Sequence, residues 1–180
     1  MSLLRPQLNH LGLYTARMEA MERFYVDVMG LIVTDRGSVP RLGNAEIVFM
    51  SASSDAHHQV ALVARPDQSA PSCINQIAFR VDSLGALRTM YEAMKTAAVA
   101  PIQPIDHGNA WSIYSADPDG NGIEVYLDSP WQVAQPHSRP LDLSQDDKAI
   151  IANTETAIRS DPTLQTRQAW SRDMLARLER

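Results

Sequence analysis

The sequence predicts an α+β fold made of two tandem β-α-β-β-β modules followed by a helical arm. Segments with a period of two and segments with a helical period occur in the same order twice. The opening strands of the two copies, LNHLGL at residues 8–13 and INQIAF at residues 74–79, are visibly alike. Two such modules can join their sheets into a curved, partly closed barrel of mixed sheet. Inward residues of the central strands would then converge on one cavity.

The first module spans about residues 7–66. Residues 7–14 are predicted to form a strand, with His10, Gly12 and Tyr14 on one face and two leucines on the other. A helix follows over residues 15–30, and Gly30 stands where a C-cap belongs. Residues 31–35, 41–51 and 58–64 have strand composition. One helical stripe is apolar and should enter the core: Met18, Met21, Phe24, Tyr25 and Met29.

The second module spans about residues 73–128, after a loop over residues 66–72. A strand at 74–81 and a helix at 83–98 are followed by strands at 102–105, 111–116 and 123–127. The turn from Asp117 to Gly122 contains Pro118 and two glycines, which suit a tight hairpin connection. We therefore expect the last two strands to be antiparallel neighbours.

Residues 131–180 are predicted to form an extension to a domain of residues 1–130. Prolines interrupt regular structure from 129 to 140, after which Ser144-x-x-Asp147 indicates a helix start ahead of residues 150–158. Asp161 followed by Pro162 indicates the start of a last helix. Its apolar face requires a partner surface, so we expect the arm to pack on the sheet or on a partner subunit.

Composition limits the classes of function. The chain has 180 residues, 44% of them hydrophobic, a net charge of −5 and one cysteine, Cys73. Its basic residues are scattered, which argues against a nucleic-acid partner, and no apolar span suggests a membrane segment. A single cysteine excludes an intrachain disulfide and a Cys-based zinc cluster. We expect a cytoplasmic protein that forms a homodimer or a higher homo-oligomer.

One acid interrupts the pattern of the final strand. Glu124 and Tyr126 share a face opposite to Ile123 and its apolar companions. Tyr114 lies in the preceding strand, and His107 lies just before that strand. Both side chains can exchange protons with a bound molecule, so the hairpin carries a carboxylate, a phenol and an imidazole. The alternative is that Glu124 lies on the solvent face of a half-exposed sheet.

The internal repeat also predicts a metal site. His10 and Gln76 occupy equivalent positions in the two opening strands, and Glu124 takes an inward position in the last strand. An imidazole, an amide oxygen and a carboxylate can hold a divalent ion and leave positions open for substrate. Taken singly, a strand histidine or glutamine is more often a structural residue.

Four stretches resemble the vicinal oxygen chelate superfamily, and within it the type I extradiol ring-cleaving dioxygenases: LNHLGL at 8–13, HHQVALV at 57–63, INQIAFRV at 74–81 and HGNAWSIYSADPDGNGIEVYLD at 107–128. The resemblance covers about the first 130 residues. It implies one metal ion and a small substrate whose adjacent oxygens chelate it. His10 and Glu124 match two ligands, whereas Gln76 stands where the dioxygenases have a histidine. Fe(II) is the metal implied, with Mn, Zn or Ni as alternatives.

The same resemblance implies catalytic roles for His58, His107 and Tyr114, beside the substrate or dioxygen. The function expected is that of an extradiol-type dioxygenase acting on a small catecholic compound. Some glyoxalase-type members use glutamine as a ligand, so an isomerase or lyase acting on a non-aromatic chelating substrate is one alternative. A metal-free protein that sequesters a small aromatic ligand is the other.

Overall fold

The computed structural model describes residues 7–65 and 74–179, which form two compact units. The N-terminal unit contains residues 7–65 and 74–75 together with residues 116–122. The C-terminal unit contains residues 76–115 and 123–179. The predicted order β-α-β-β-β occurs twice along the chain, as expected. The predicted loop at 66–72 and Cys73 lie outside the described residues.

The first module forms a four-stranded sheet with one helix. Its elements are β1 (Leu11–Thr15), α1 (Met18–Arg23) with a π-helical continuation (Phe24–Val28), β2 (Ile32–Val39), β3 (Ala45–Ser51) and β4 (Val60–Ala64). The strand order is β1-β4-β3-β2, with β1 parallel to β4 and the other pairs antiparallel. The predicted helical stripe is confirmed, since Met21 and Tyr25 are fully buried. Gly30, with φ of +74°, follows the helix as the C-cap pattern predicts.

The predicted turn at residues 117–122 packs in the N-terminal unit. The buried Asp117 carboxylate accepts hydrogen bonds from the Tyr25 hydroxyl at 3.0 Å and from the Asn121 amide at 2.7 Å. It also accepts from the backbone N–H groups of Asp119 and Asn121. Burial, followed by the Asp117 charge, raises the pKa of Tyr25 well above its usual value, so the phenol donates this bond at neutral pH.

The second module and the arm form the C-terminal unit. Their elements are β5 (Ile77–Arg80), α2 (Leu84–Thr96), β6 (Gln103–Asp106), β7 (Ala110–Ala116), β8 (Gly122–Asp128), β9 (Trp131–Gln132), β10 (Arg139–Pro140), α3 (Asp147–Ile158), β11 (Gln165–Thr166) and α4 (Arg167–Leu178). The sheet order is β10-β6-β7-β8-β5, so the predicted neighbours β7 and β8 are paired. β5 runs parallel to β8, and β9 pairs with β11 in a separate ribbon.

Helix α3 packs against the β6–β7 connection of its own chain. The buried Thr154 hydroxyl accepts from the Trp111 indole N–H at 2.8 Å and lies 2.9 Å from the Asp106 carboxylate. Gly108, with φ of +76°, lies so close that a β-carbon there would be 2.8 Å from Ile158 Cγ2 and 3.0 Å from Val133 Cγ2. The arm therefore contacts the module that precedes it.

Two helix starts in the arm differ from the sequence prediction. Asp146, not Ser144, is the N-cap of α3 and accepts from Ala149 N–H. The last helix begins at Arg167 with Thr166 as its N-cap, not at Asp161 and Pro162. Asp161 instead accepts from the Thr163 N–H and hydroxyl in a local turn. The chain then runs extended through β11 before it becomes helical.

The Pro-rich stretch is also less irregular than predicted, because β9 and β10 lie within it. Pro140 is tolerated there because β10 is an edge strand that pairs with β6 alone. The two larger sheets are hydrogen-bonded separately within the described residues, and their closure into a barrel stays a prediction. In residues 7–65 and 74–179, no helix has the length and apolar character needed to cross a membrane.

Candidate functional site

The Glu124 carboxylate is the centre of a polar cluster in the C-terminal unit. Only 8% of Glu124 is exposed, which contradicts the alternative of a solvent-facing acid. Its Oε1 accepts from the hydroxyls of Ser112 at 2.7 Å and Tyr114 at 2.8 Å, and its Oε2 accepts from Gln76 Nε2 at 2.9 Å. Three donors satisfy the buried carboxylate and so lower the energetic cost of its burial.

Local backbone geometry explains how these donors reach Glu124. Ser112 and Tyr114 are two residues apart in β7, so they share a face of the sheet that carries Glu124 on the adjacent β8. β5 pairs with β8 in parallel, with Ala78 opposite Glu124. Gln76, which immediately precedes β5, is thereby brought beside the carboxylate. Ser112 was not singled out from the sequence, although the same alternation would have identified it.

His107 and Tyr114 extend the cluster into a row of hydrogen bonds. His107 Nε2 lies 3.0 Å from the Tyr114 hydroxyl, and His107 Nδ1 lies 2.5 Å from the His137 carbonyl oxygen. A carbonyl oxygen only accepts, so Nδ1 carries a proton. Tyr114 donates its single hydroxyl proton to Glu124 Oε1. Burial, then the hydrogen bond to Glu124 and its charge, raises the pKa of Tyr114 to about 12.

Residues of the arm contact His107 at the end of this row. His137 Nε2 lies 2.9 Å from Asp161 Oδ2, and the His137 N–H donates to Gln135 Oε1 at 2.9 Å. Gln135 Nε2 in turn donates to the carbonyl oxygen of His107 at 2.9 Å. None of these three arm residues carries a sequence signal for the site, because folding of the arm over the module brings them there.

A cavity of about 510 Å³ opens beside the row. His107, Tyr114 and Glu124 are among the residues that line it. Tyr126 and Asp128 of β8 line it too, and the arm contributes polar and aromatic groups that include Arg167 and Trp170. The cluster of potentially reactive groups is therefore accessible to a small molecule.

A second group of predicted site residues lies in the N-terminal unit. The rings of His10 and His58 are 4.2 Å apart between centroids, and His57 Nδ1 lies 3.1 Å from His58 Nδ1. Phe49 packs against His58, with 4.9 Å between ring centroids. Burial, followed by the neighbouring His10 and His57, lowers the pKa of His58, which favours the neutral imidazole.

The structure thus brings four of the six predicted site residues together in one unit: Gln76, His107, Tyr114 and Glu124. It brings the other two, His10 and His58, together in the other unit. The convergence of His10 with Gln76 and Glu124 on one ion stays a prediction. Across residues 7–65 and 74–179, no group of three or more His, Cys, Asp or Glu side chains is placed to hold a metal.

The donor chemistry around Glu124 nevertheless fits a divalent ion that accepts oxygen ligands. Glu124 Oε1 is engaged by two hydroxyls, whereas Oε2 accepts from the Gln76 amide alone among the described residues. Rotation of that amide by half a turn would place its oxygen against the carboxylate oxygen. Two such acceptors side by side favour a cation between them.

One family model and several known proteins match this chain. A family model described as the glyoxalase/bleomycin resistance protein/dioxygenase superfamily matches residues 7–125. Two relatives from Rhodococcus globerulus are biphenyl-2,3-diol 1,2-dioxygenase 2, 34% identical over 129 residues, and biphenyl-2,3-diol 1,2-dioxygenase 3, 31% identical over 130 residues. Each match covers 69% of this chain and 64% of the relative. The chain therefore spans less than two thirds of the curated relatives it matches.

Solved structures share the fold at lower identity. A glyoxylase/bleomycin resistance protein/dioxygenase domain from Frankia superposes with a TM-score of 0.59 at 16% identity, covering 70% of this chain and 100% of that one. A fosfomycin resistance protein from Listeria monocytogenes, complexed with Mn(II) and sulfate, superposes with a TM-score of 0.54 at 17% identity, covering 70% of this chain and 95% of that one. At such identities the likeness concerns the fold alone.

Proposed function

Because the chain belongs to the glyoxalase/bleomycin resistance protein/dioxygenase superfamily, we propose that it is a metal-dependent dioxygenase of the extradiol type that cleaves a small catecholic ring. The observation that carries this proposal is the row His107, Tyr114 and Glu124 on the wall of a cavity large enough for an aromatic substrate. The names of the two Rhodococcus relatives support the same reaction.

We propose His10, Gln76 and Glu124, the ligands predicted from the sequence, as the residues that would hold the metal. A divalent ion held there would lower the pKa of a catechol hydroxyl and would keep ring and dioxygen close together. The hydrogen bond between Gln76 and Glu124 supports two of these assignments. Fe(II) is the metal proposed, although an amide oxygen in place of an imidazole also suits Mn(II).

The protein's own groups handle the proton of the substrate. Tyr114 remains protonated at neutral pH because its pKa is raised, so its hydroxyl can donate to a substrate oxygen in the cavity. His107 can take up or return a proton at Nε2, while its Nδ1 is fixed by the His137 carbonyl. We propose His58 as a further base next to His10, because its lowered pKa favours the neutral form that can accept a proton.

Gln76 itself favours a second candidate, an isomerase or lyase that uses a metal without dioxygen. An amide oxygen is a weaker donor to Fe(II) than an imidazole and suits ions that prefer oxygen ligands. Such an enzyme would bind the same divalent ion and a chelating substrate but would consume no oxygen. A protein that binds a small aromatic ligand without metal would retain the cavity and contain no stoichiometric ion.

The substitution Gln76→His tests the assignment. It supplies two imidazoles and a carboxylate, the set that suits non-haem Fe(II), so the variant should bind Fe(II) more tightly and gain catechol-dependent oxygen uptake. Gln168→His, which adds a histidine at an exposed position of α4, is the matched control and should change neither property. Metal content by elemental analysis and oxygen consumption with a panel of catechols are the two measurements.

The outcomes separate the three functions. Oxygen uptake by the parent or by Gln76→His supports the dioxygenase. Tight iron binding by the variant without ring cleavage across the panel favours the isomerase or lyase. A parent and a variant that both lack stoichiometric metal after reconstitution favour the binding protein.

A further inference from the structure

Residues of the arm line the cavity beside Glu124. β9 pairs with β11, with Gln132 opposite Gln165, and the Arg167 N–H donates to the Pro130 carbonyl at 2.9 Å. These bonds hold the first turn of α4 against the end of β8, so that Arg167 and Trp170 line the cavity. Both residues lie beyond the segment 7–125 that the family model matches, so they are additions to the shared fold.

The cavity runs along one face of β8. Glu124, Tyr126 and Asp128 are two residues apart and all three line it. At a rise of about 3.3 Å per residue, the α-carbons of Glu124 and Asp128 are about 13 Å apart. Glu124 thus stands at one end of this line of β8 residues, and Asp128, which pairs with Arg167, stands at the other.

The charged groups around Asp128 carry an excess of positive charge. Asp128 is held by two guanidinium groups, Arg167 at 2.7 Å on Oδ1 and Arg80 at 3.4 Å on Oδ2. One carboxylate neutralises one of these two cations, so the group retains a single positive charge. The Arg167 side chain is 37% exposed, and a guanidinium has five N–H donors, so it can bind a second anion while it contacts Asp128.

We propose that Arg167 and Trp170 form a subsite for the anionic tail of an elongated aromatic substrate. The substrate class is an aromatic ring with a carboxylate on a side chain of two or three carbons. The ring lies toward Tyr114 and Glu124, the carboxylate pairs with Arg167, and the indole of Trp170 covers the apolar stem. The identity of the ring as a catechol rests on the proposed function, whereas recognition of the tail does not.

Binding of 3-phenylpropanoate and its primary amide tests the subsite without involving metal or dioxygen. The two probes have the same shape and differ in charge. A charge-assisted hydrogen bond contributes about 1.5–3 kcal/mol, so the parent should bind the acid about tenfold or more tightly than the amide. Isothermal titration calorimetry gives both dissociation constants on the full-length chain.

Three variants locate the effect. Arg167→Gln should abolish the preference for the acid, and Arg167→Lys should retain part of it. Arg172→Gln, which removes an exposed cation from the same helix outside the cavity lining, should leave the preference unchanged. Trp170→Leu should weaken the binding of both probes by a similar factor. Circular dichroism of each variant establishes that α4 and the sheets are retained.

The proposal is overturned if the parent binds the two probes equally or binds neither, or if Arg167→Gln retains the preference while its fold is intact. Failure of the proposed function is a separate result. With 3-(3,4-dihydroxyphenyl)propanoate and its amide as probes, acid-selective binding without oxygen uptake by the parent or by Gln76→His would leave the subsite in place and count against the dioxygenase.

Discussion

The Tyr114 hydroxyl lies within hydrogen-bond distance of two groups, the Glu124 carboxylate at 2.8 Å and His107 Nε2 at 3.0 Å. A phenol with a pKa of about 12 remains a proton donor over the physiological range. Proton transfer along the row therefore requires His107 to supply or receive the proton, while Tyr114 connects it to the carboxylate. Under the proposed function, the Tyr114 hydroxyl would therefore take part in proton transfer, which the ring alone could not do.

Tyr114→Phe removes this connection and keeps the ring. Under the proposed function, we expect catechol-dependent oxygen uptake to fall by about 10²- to 10⁴-fold, the usual contribution of a positioned acid or base, with the fold retained. Tyr91→Phe on α2 is the matched control, because Tyr91 lies outside both the row and the cavity lining, and it should keep the parent's rate. Steady-state oxygen uptake measures both, and equal losses in the two variants would contradict the role of the Tyr114 hydroxyl.

Asp161 gives a prediction on pH dependence. Hydrogen bonds from the Thr163 hydroxyl and N–H, followed by His137, lower the pKa of Asp161 below its ordinary value of 3.8. A lowered pKa contributes stability above the unfolded-state value, and this contribution is lost as the pH falls through the folded-state value. Urea unfolding of parent and Asp161→Asn should therefore show a stability difference that shrinks from pH 6 toward pH 3. A difference that grows with acidity would contradict the assignment.

The contact between α3 and the β6–β7 connection depends on a glycine. Gly108 combines a positive φ with a position where a β-carbon would meet Ile158 and Val133 at 3.0 Å or less. Gly120 also has a positive φ, but a β-carbon there would meet no atom within 4 Å. Substitution of the two glycines therefore separates the cost of a positive φ from the cost of packing a β-carbon.

Gly108→Ala should lower the free energy of unfolding by about 2–5 kcal/mol, because it adds overpacking to backbone strain. Gly120→Ala should cost about 1–2 kcal/mol from the backbone alone. Urea denaturation of both variants gives the two values. Equal losses would show that α3 moves away from Gly108 at no cost.

The order of the elements follows from the period with which hydrophobic residues recur along the chain. The starts of the arm helices depend instead on competition between local hydrogen bonds. Asp161 has the residue type of an N-cap, yet Thr163 offers its carboxylate two nearer donors, which favours a turn. Pairing of β11 with β9 then keeps the chain extended to Thr166. Since β9 lies about thirty residues earlier, no local pattern could indicate where α4 begins.

The same distinction applies to the site. The association of Gln76 with Glu124 was predictable, because an internal repeat and strand alternation place both residues on known faces. The presence of Arg167 and Trp170 in the cavity was not, since it depends on how a separate arm folds back over β8. Motif and repeat thus identify groups within one module, while contacts between distant segments require the structure.

The arm as a whole supplies much of the buried apolar surface of its unit, as this group shows: Val133, Leu141, Leu143, Ile150 and Ile158. Burial of each such side chain contributes about 1.5–3 kcal/mol, so their sum is comparable to the total stability of a domain. A chain truncated after Ser129 should therefore aggregate or fail to fold. A chain truncated after Leu164, which lacks β11 and α4, should stay folded, because α4 has no buried residues and β11 pairs with the two-residue strand β9.

Size-exclusion chromatography and circular dichroism check both truncations. A protein ending at Ser129 that remains soluble and cooperatively folded would contradict the packing role of the arm. Loss of structure in the longer truncation would show that α4 contributes more than its exposure indicates.

The hairpin tip at residues 116–122 packs with the N-terminal unit although its strands belong to the other. The bond between Tyr25 and Asp117 joins positions 92 residues apart, so a long loop must close before it can form. During synthesis, the first module cannot reach its native arrangement when its own last strand leaves the ribosome. It must wait for about sixty further residues, and contacts of such high sequence separation slow folding. The two modules are copies in sequence, but they are not independent in the order in which they are completed.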